Sequence, residues 1–451
     1  MKSIKNIACG IAVLFITLSG NLFAQNTDVI ITEQEMKSII TKAVELMEEN
    51  YIFPERVKSV ESFINKKFAN KEYSQFVKLS NFLQELNKDL EREGKDHHLD
   101  IFFGPQRVKQ IELDDQNINE VKKETYSEEW LELLKYENFR LKKLERLDGN
   151  IGYFQFFNFS PLEPAKESIV GAMSFIHHSS AIIIDLRDNG GGSAETMNFL
   201  LSYFLKDSLQ TGEWRYRKGN LIEKTYVPTD AQIKKFSDEI PLYILVSKKT
   251  SSAAEGFSYI LQQFKRAVIV GEQTKGEGNP GKLFVINDQL YMMIPTIESR
   301  NVVSGKGIDG VGITPDITIE SGKSQDIALL KINQELAKSS NNLNRKKLYE
   351  WNLPALEAKL YPPKISDELI NSIIGDYENN RKIIYEDKVL YFLNQSGKYK
   401  LTYLGNNTFS VAERDYRFVF PITTGITGFQ TIWDDGGTEE IKRNNHKTPN
   451  R

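Results

Sequence analysis

Three small hydroxyl residues, Thr250, Ser251 and Ser252, stand between an apolar run and a pair of alanines. The run from Pro241 to Val246 reads as a short buried strand bounded by Lys248 and Lys249. From Ala253 onward, Phe257, Ile260, Leu261 and Phe264 recur at helical spacing. A strand feeding hydroxyls into a helix N-terminus holds one of them at a fixed turn. The free N–H groups of the first helical turn then point at any negative charge that develops there. That is the geometry of nucleophilic catalysis, with Ser252 as the candidate nucleophile. The same residue types also cap helices, and this stretch alone leaves that alternative open.

Two more segments bear on the choice. The stretch AIIIDLRDNGGG (181–192) is a continuous apolar strand that ends in charges and three glycines, with Met197, Leu200, Leu201 and Phe204 on one face of the helix after it. The stretch AVIVGEQTKGEG (267–278) is a second strand running into a Gly/Thr loop. In this order and spacing the three segments resemble the core of the peptidase family containing C-terminal processing proteases, the tricorn protease core and the repeats of interphotoreceptor retinoid-binding protein. Its pattern is D-x-R-x-N-x-G-G after one strand, S-A-x-E after another, then G-x-x-T-x-G. The resemblance spans roughly Ile31 to Ile319, with least support between Lys109 and Leu134.

The resemblance implies a set of roles. Gly191, with Gly190 as its neighbouring alternative, and Ala253 would donate the N–H groups of an oxyanion hole, each worth about 3 kcal/mol of transition-state stabilisation. The layout of Tyr51, Phe53, Pro54 and Glu55, then helices, then Asp96, His98 and Leu99 before a strand, resembles the N-terminal region of retinoid-binding-protein-like members. In that pattern His98 is the general base, and its neighbour His97, which fills a position that is usually small, is the alternative. A neutral imidazole near pH 7 can take the serine proton and return it to a leaving amine. Asp309 matches the family's acid, in a pattern that usually carries glutamate. Its local alternative is an Asp-Gly turn.

The Ser/Lys dyad of some relatives is not expected. Glu277 stands where their lysine would be, and Lys275, two residues earlier, lies in a charged stretch. A lysine base must be desolvated to be neutral near pH 7. Asp185 and Arg187 read as a structural pair under the glycine loop. His177, His178 and His446 lack comparable context.

The elements that must position these groups alternate strand and helix, hence an α/β class. The resemblance implies a crotonase-like core with an N-terminal helical subdomain and a small C-terminal all-β module. The expected divisions are a signal peptide over 1–24, a helical domain over 28–105, a connecting arm over 106–145, the core over 146–320, a helix and linker over 321–363, and the β module over 364–445. In the helical domain Ile39, Ile40, Ala43, Val44 and Met47 form one stripe, and Phe82, Leu83, Leu86 and Leu90 another. A polar linker is expected from Ser339 to Lys347. Beyond Lys364, short strands separated by Asn, Gly and Asp turns read as a barrel or sandwich.

Lys2 and Lys5 before the apolar run from Ile7 to Leu18 read as a signal peptide cleaved after Ala24, hence a periplasmic or secreted protein. That run is short of a bilayer span, and no second long apolar run follows it. The one cysteine, Cys9, would leave with the signal, so neither a disulfide nor thiol chemistry is expected. A net charge of -3 over 451 residues, without a basic patch, argues against nucleic acid. The expected partner is a peptide or protein substrate, with no metal or other cofactor and the oligomeric state open. The competing classes are a binding protein that kept the fold without catalysis, its apolar cleft around Tyr291 to Ile294, and a non-enzymatic scaffold. A core strand is the simpler reading of 291–294.

Overall fold

The computed structural model describes residues 29–116, 126–230, 232–421 and 426–444. The expected signal peptide lies outside them. The chain forms two compact units: one runs to Ser321 without Asp148–Asn150, and the other holds Asp148–Asn150 and everything from Gly322.

The first unit opens with helices α1 (Glu33–Asn50), α2 (Pro54–Ala69) and α3 (Leu79–Gly94). A capping box starts α1: Glu35 N–H donates to Thr32 Oγ1, and Thr32 N–H donates to the Glu35 carboxylate. The apolar stripes meet in one core with Met47, Val60, Phe82, Leu86 and Leu90 at its centre. Lys95, in the left-handed region at φ 50°, ends α3 and turns the chain towards β1 (Asp100–Phe103).

The expected connecting arm is helical in its described parts, α4 (Pro105–Gln116) and α5 (Glu128–Tyr136), before β2 (Leu141–Leu147). Val108 and Ile111 are buried at helical spacing on α4, an anchor too short to stand out among the charges.

Next come β3 (Ile151–Phe156), α6 (Leu162–Phe175), β4 (Ala181–Asp185), α7 (Ala194–Leu201), β5 (Gln210–Tyr216), β6 (Ile222–Tyr226), β7 (Leu242–Val246), α8 (Ala253–Gln263) and β8 (Val268–Gly271). Strands β9 (Gly281–Val285), β10 (Leu290–Pro295), β11 (Ile297–Asn301) and β12 (Ile317–Thr318) complete the unit. The main sheet runs β12-β8-β7-β4-β3-β2, parallel except for β2. Every residue of β4 and β7 is buried, as strands covered on both faces require. Asp185 pairs with Leu245 and Val246 with Gly271, so the loops after β4, β7 and β8 leave the same edge of the sheet. Ligands of parallel sheets bind beyond that carboxyl edge.

Two three-stranded sheets flank this core, β1-β10-β9 and β11-β5-β6. The first adds β1 antiparallel to β10, with Asp100 opposite Met293 and Phe103 opposite Leu290. Met292 and Ile294 of β10 are fully buried, so 291–294 is a core strand.

The second unit has helices α9 (Ser324–Ser339), α10 (Leu343–Leu360) and α11 (Asp367–Ile373). The expected polar linker is mostly the start of α10, which Asn342 caps through its side chain. Pro354 inside α10 is what hides a helix from a reading that takes proline as a stop. Eight strands follow in sequence order as an antiparallel meander, from β13 (Gly375–Tyr377) through β14 (Arg381–Glu386), β15 (Val389–Asn394), β16 (Gly397–Gly405), β17 (Thr408–Val411), β18 (Tyr416–Val419) and β19 (Gly428–Trp433) to β20 (Thr438–Lys442). A bridge between Tyr377 and Arg443 joins the two ends into a barrel-like closure. Ile383, Phe392, Phe409, Phe418 and Phe429 fill it. The whole is mixed α/β.

Candidate active site

Ser252 sits at the N-cap of α8 with φ 54° and ψ −122°. That backbone conformation costs a non-glycine residue about 1–3 kcal/mol and persists only where its surroundings hold it. The holder is Glu255, which is fully buried. One of its carboxylate oxygens accepts the N–H of Ser252 at 3.0 Å and of Glu277 at 2.8 Å. The other accepts the N–H of Gly276 at 2.7 Å and the Thr274 hydroxyl at 2.5 Å. Burial raises the Glu255 pKa and these four bonds lower it, burial being the larger effect.

The neighbouring hydroxyls are already committed. Thr250 Oγ1 donates to Leu186 O at 2.7 Å, and Ser251 Oγ donates to Gly190 O at 3.0 Å. Both stitch the β7 loop to the β4 loop. Ser252 is the member of the trio that lines a cavity, along with Met197, Gly256, Tyr259 and Ile308.

The glycine loop packs directly on Ser252. A methyl group on Gly191 would stand 2.7 Å from Ser252 Cβ and 3.0 Å from Ala253 N, and Gly191 has φ 99°. Glycine is needed there on both counts. The Ala253 N–H, at the first position of the helix, has no hydrogen-bond partner among the described residues. The Gly191 N–H instead donates to Asn189 Oδ1 at 2.8 Å, and the Gly190 N–H donates to Phe157 O at 3.3 Å. An oxyanion would therefore compete with a side-chain amide for Gly191 and with a long backbone bond for Gly190. Asp185 and Arg187 form a bidentate pair, with Tyr153 Oη donating to Asp185 at 2.5 Å and Arg187 Nη1 donating to Ser321 O at 2.8 Å. They brace the base of the loop.

His98 is 4 % exposed. Its Nδ1 lies 3.8 Å from Asp96 Oδ1 and 4.0 Å from Asp309 Oδ1. Burial pushes its pKa down, while the carboxylates of Glu277 and Asp96 pull it up. Asp96 is itself fixed, accepting the Tyr51 hydroxyl at 2.9 Å and the His98 N–H at 3.0 Å. Asp309 accepts the Gly278 N–H at 3.3 Å, and burial beside Asp96 pushes its carboxyl up to about 8. His97 turns the other way, half-exposed and paired with Glu91. Lys275 is half-exposed and ion-paired with the buried Glu277.

Ser252 and His98 are thus tied to one loop. Glu255 binds Ser252 to residues 274–277, and Gly278 at the end of that loop holds Asp309 against His98. The His98 ring is not among the walls of the cavity that Ser252 lines. Sequence reasoning gave no role to Glu255, Asp96 or Tyr51. A signal existed for the first: Ser252 followed three residues later by glutamate is the capping-box spacing.

Residues 150–319 match the profile of peptidase family S41, and residues 20–145 match that of the N-terminal domain of peptidase S41 in eukaryotic IRBP. The chain belongs to peptidase family S41. A carboxy-terminal-processing protease of Bartonella bacilliformis is 29% identical over 180 residues, 39% of this chain and 40% of the relative. Carboxyl-terminal-processing peptidase 1, chloroplastic, of Arabidopsis thaliana is 29% identical over 181 residues, 40% of this chain and 35% of the relative. The chain thus spans 40% or less of the length of these two curated relatives. Among solved structures, the photosystem II D1 C-terminal processing protease is 13% identical, covering 65% of this chain and 94% of that one at a TM-score of 0.39. No helix among the described residues is long and apolar enough to cross a membrane.

Proposed function

We propose that this chain is an exported serine peptidase, periplasmic or secreted, that hydrolyses peptide bonds through an acyl-enzyme on Ser252. In this reading the core is of the crotonase type. His98 accepts the Ser252 proton as the hydroxyl oxygen attacks the scissile carbonyl, then gives that proton to the leaving amine. Water, deprotonated by the same imidazole, releases the acyl group. Ala253 N–H and the glycine loop at Gly191 or Gly190 stabilise the oxyanion. Asp309, with Asp96 beside it, orients the ring and, once ionised, stabilises the imidazolium.

The observation that carries this is the state of the hydroxyl trio. Thr250 and Ser251 are spent on loop carbonyls, whereas Ser252 is held by Glu255 in a strained conformation at the cavity and beside a free helix N–H. Ser252 does occupy an N-cap whose N–H is held by Glu255 in capping-box fashion, but an ordinary cap sits in the β region and does not need φ 54°. Apo catalytic contacts are often loose and tighten only around substrate, and the reading requires His98 to close on Ser252 in that way.

The experiment is labelling of purified protein with a fluorophosphonate. Adduct at Ser252, lost in Ser252→Ala and reduced by about 100-fold or more in His98→Ala, is the expected result. Undiminished labelling of His98→Ala together with loss in Lys275→Ala would make lysine the base. A protein that neither labels nor cleaves peptides would be a non-catalytic member of the same fold.

A further inference from the structure

The cluster of Asp96, His98 and Asp309 offers more than a base and its orienting acids. Each contributes one ligand atom, these atoms lie within 4.8 Å of one another, and all three side chains are at least nine-tenths buried. The separations of 3.8 and 4.0 Å from His98 Nδ1 exceed hydrogen-bonding distance. They are near the edge length of about 3.4 Å that bonds of about 2.0–2.1 Å set around a tetrahedral ion. Closing these two separations takes about half an ångström each, and the two carboxylates lie within 4.8 Å of one another. One imidazole with two carboxylates is a borderline-hard donor set that suits zinc and its neighbours.

The surroundings of a metal site are also present. Tyr51 Oη and the His98 N–H hold Asp96, and the Gly278 N–H holds Asp309, so two of the ligands are oriented by outer partners. The cluster lies next to a surface hollow lined by Asp96 together with Glu91, His97 and Gly310, although the Asp96 side chain itself is buried.

We propose that Asp96, His98 and Asp309 bind a divalent transition-metal ion of the zinc type, and that this binding switches the base off. The inhibitory half rests on the reading of His98 as the base; the binding half does not. A metal on Nδ1 takes that nitrogen's lone pair and leaves the ring's one proton on Nε2. The nitrogen that must accept the Ser252 proton then has no lone pair to accept it with. The ion is an inhibitor of this site and takes no part in the cleavage.

The test uses purified, chelator-stripped protein titrated with Co²⁺, which reports a protein site by its visible absorption. The expected result is one ion per chain in the wild type and in Ser252→Ala, with the spectrum lost in His98→Gln and in Asp309→Asn. Tyr51→Phe should weaken binding by about 10- to 100-fold, the usual effect of losing an outer partner. Thermal melts of each variant separate a lost site from a lost fold. In parallel, saturating Zn²⁺ should slow fluorophosphonate labelling of Ser252 by about tenfold or more, and EDTA should restore it. No cobalt spectrum in the wild type, an unchanged spectrum in folded His98→Gln, or unchanged labelling at full occupancy would each overturn the proposal. If stripped protein does not label at all, the peptidase reading fails, and the cobalt spectrum still decides the binding site.

Discussion

At the scale of single residues, the candidate site depends on groups held where they would not otherwise rest. Gly191→Ala would have to fit a methyl group 2.7 Å from Ser252 Cβ at a φ of 99°. Strain of about 1–3 kcal/mol and displacement of Ser252 should follow. The expected outcome is labelling slowed by about 100-fold with only a modest fall in melting temperature. Asp309 makes a pH prediction whose sign is definite. Its carboxyl is raised from the model-peptide value of 3.8 to about 8 in the folded chain, so the folded state binds the extra proton. The stability this gives is complete below the unfolded value and is lost as pH rises through about 8. Denaturant titrations should show stability declining over that window, and Asp309→Asn should flatten the decline. His98 shifts the other way. Burial lowers its pKa, so the acid limb of the labelling rate should lie below the ordinary histidine value of about 6.5. If the ionised Asp309 supports the imidazolium, a second rise through about pH 8 should be present in the wild type and absent in Asp309→Asn.

At the scale of elements, two of the three strand-to-loop turns on one sheet edge, those after β7 and β8, are held together by a single side chain, and the third, after β4, is tied in by Thr250 and Ser251. Glu255 accepts from Ser252 and from three groups of the 274–277 loop. Glu255→Ala leaves those donors without their acceptor and should cost about 2–5 kcal/mol in chemical denaturation. Glu255→Gln should retain more stability yet still slow Ser252 labelling, because an amide NH₂ cannot accept from a facing N–H. This scale also shows where the sequence could be read. Strands β4 and β7 stood out because both faces are covered and their positions are apolar up to Asp185 at the end of β4, and the glycines and hydroxyls after them mark the turns. Helix α10 did not, since Pro354 interrupts its pattern, nor did α4, whose buried face is little more than Val108 and Ile111. The hairpin of β5 and β6 passed unremarked because its positions are mostly half-buried or exposed and rich in charge. Contacts such as Tyr51 with Asp96 join residues far apart in the chain and leave no local mark.

At the scale of the whole molecule, separate cores predict separate unfolding. The barrel-like sheet is filled by its own aromatic cluster, distinct from the two clusters of the first unit. Calorimetry should therefore resolve more than one transition. Phe409→Ala, with its ring fully buried in the barrel, should lower one of them by about 3–5 kcal/mol. It should leave Ser252 labelling at room temperature unchanged. The pairing of β1 with β10 has a consequence in time. A ribosome releases His98 early, then Ser252, then the strand against which β1 must lie, and Asp309 last of all. A half-made chain therefore owns a hydroxyl and an imidazole before it owns β10 and Asp309, and on the reading of Ser252 and His98 as nucleophile and base it should not label with a fluorophosphonate until synthesis has passed β10.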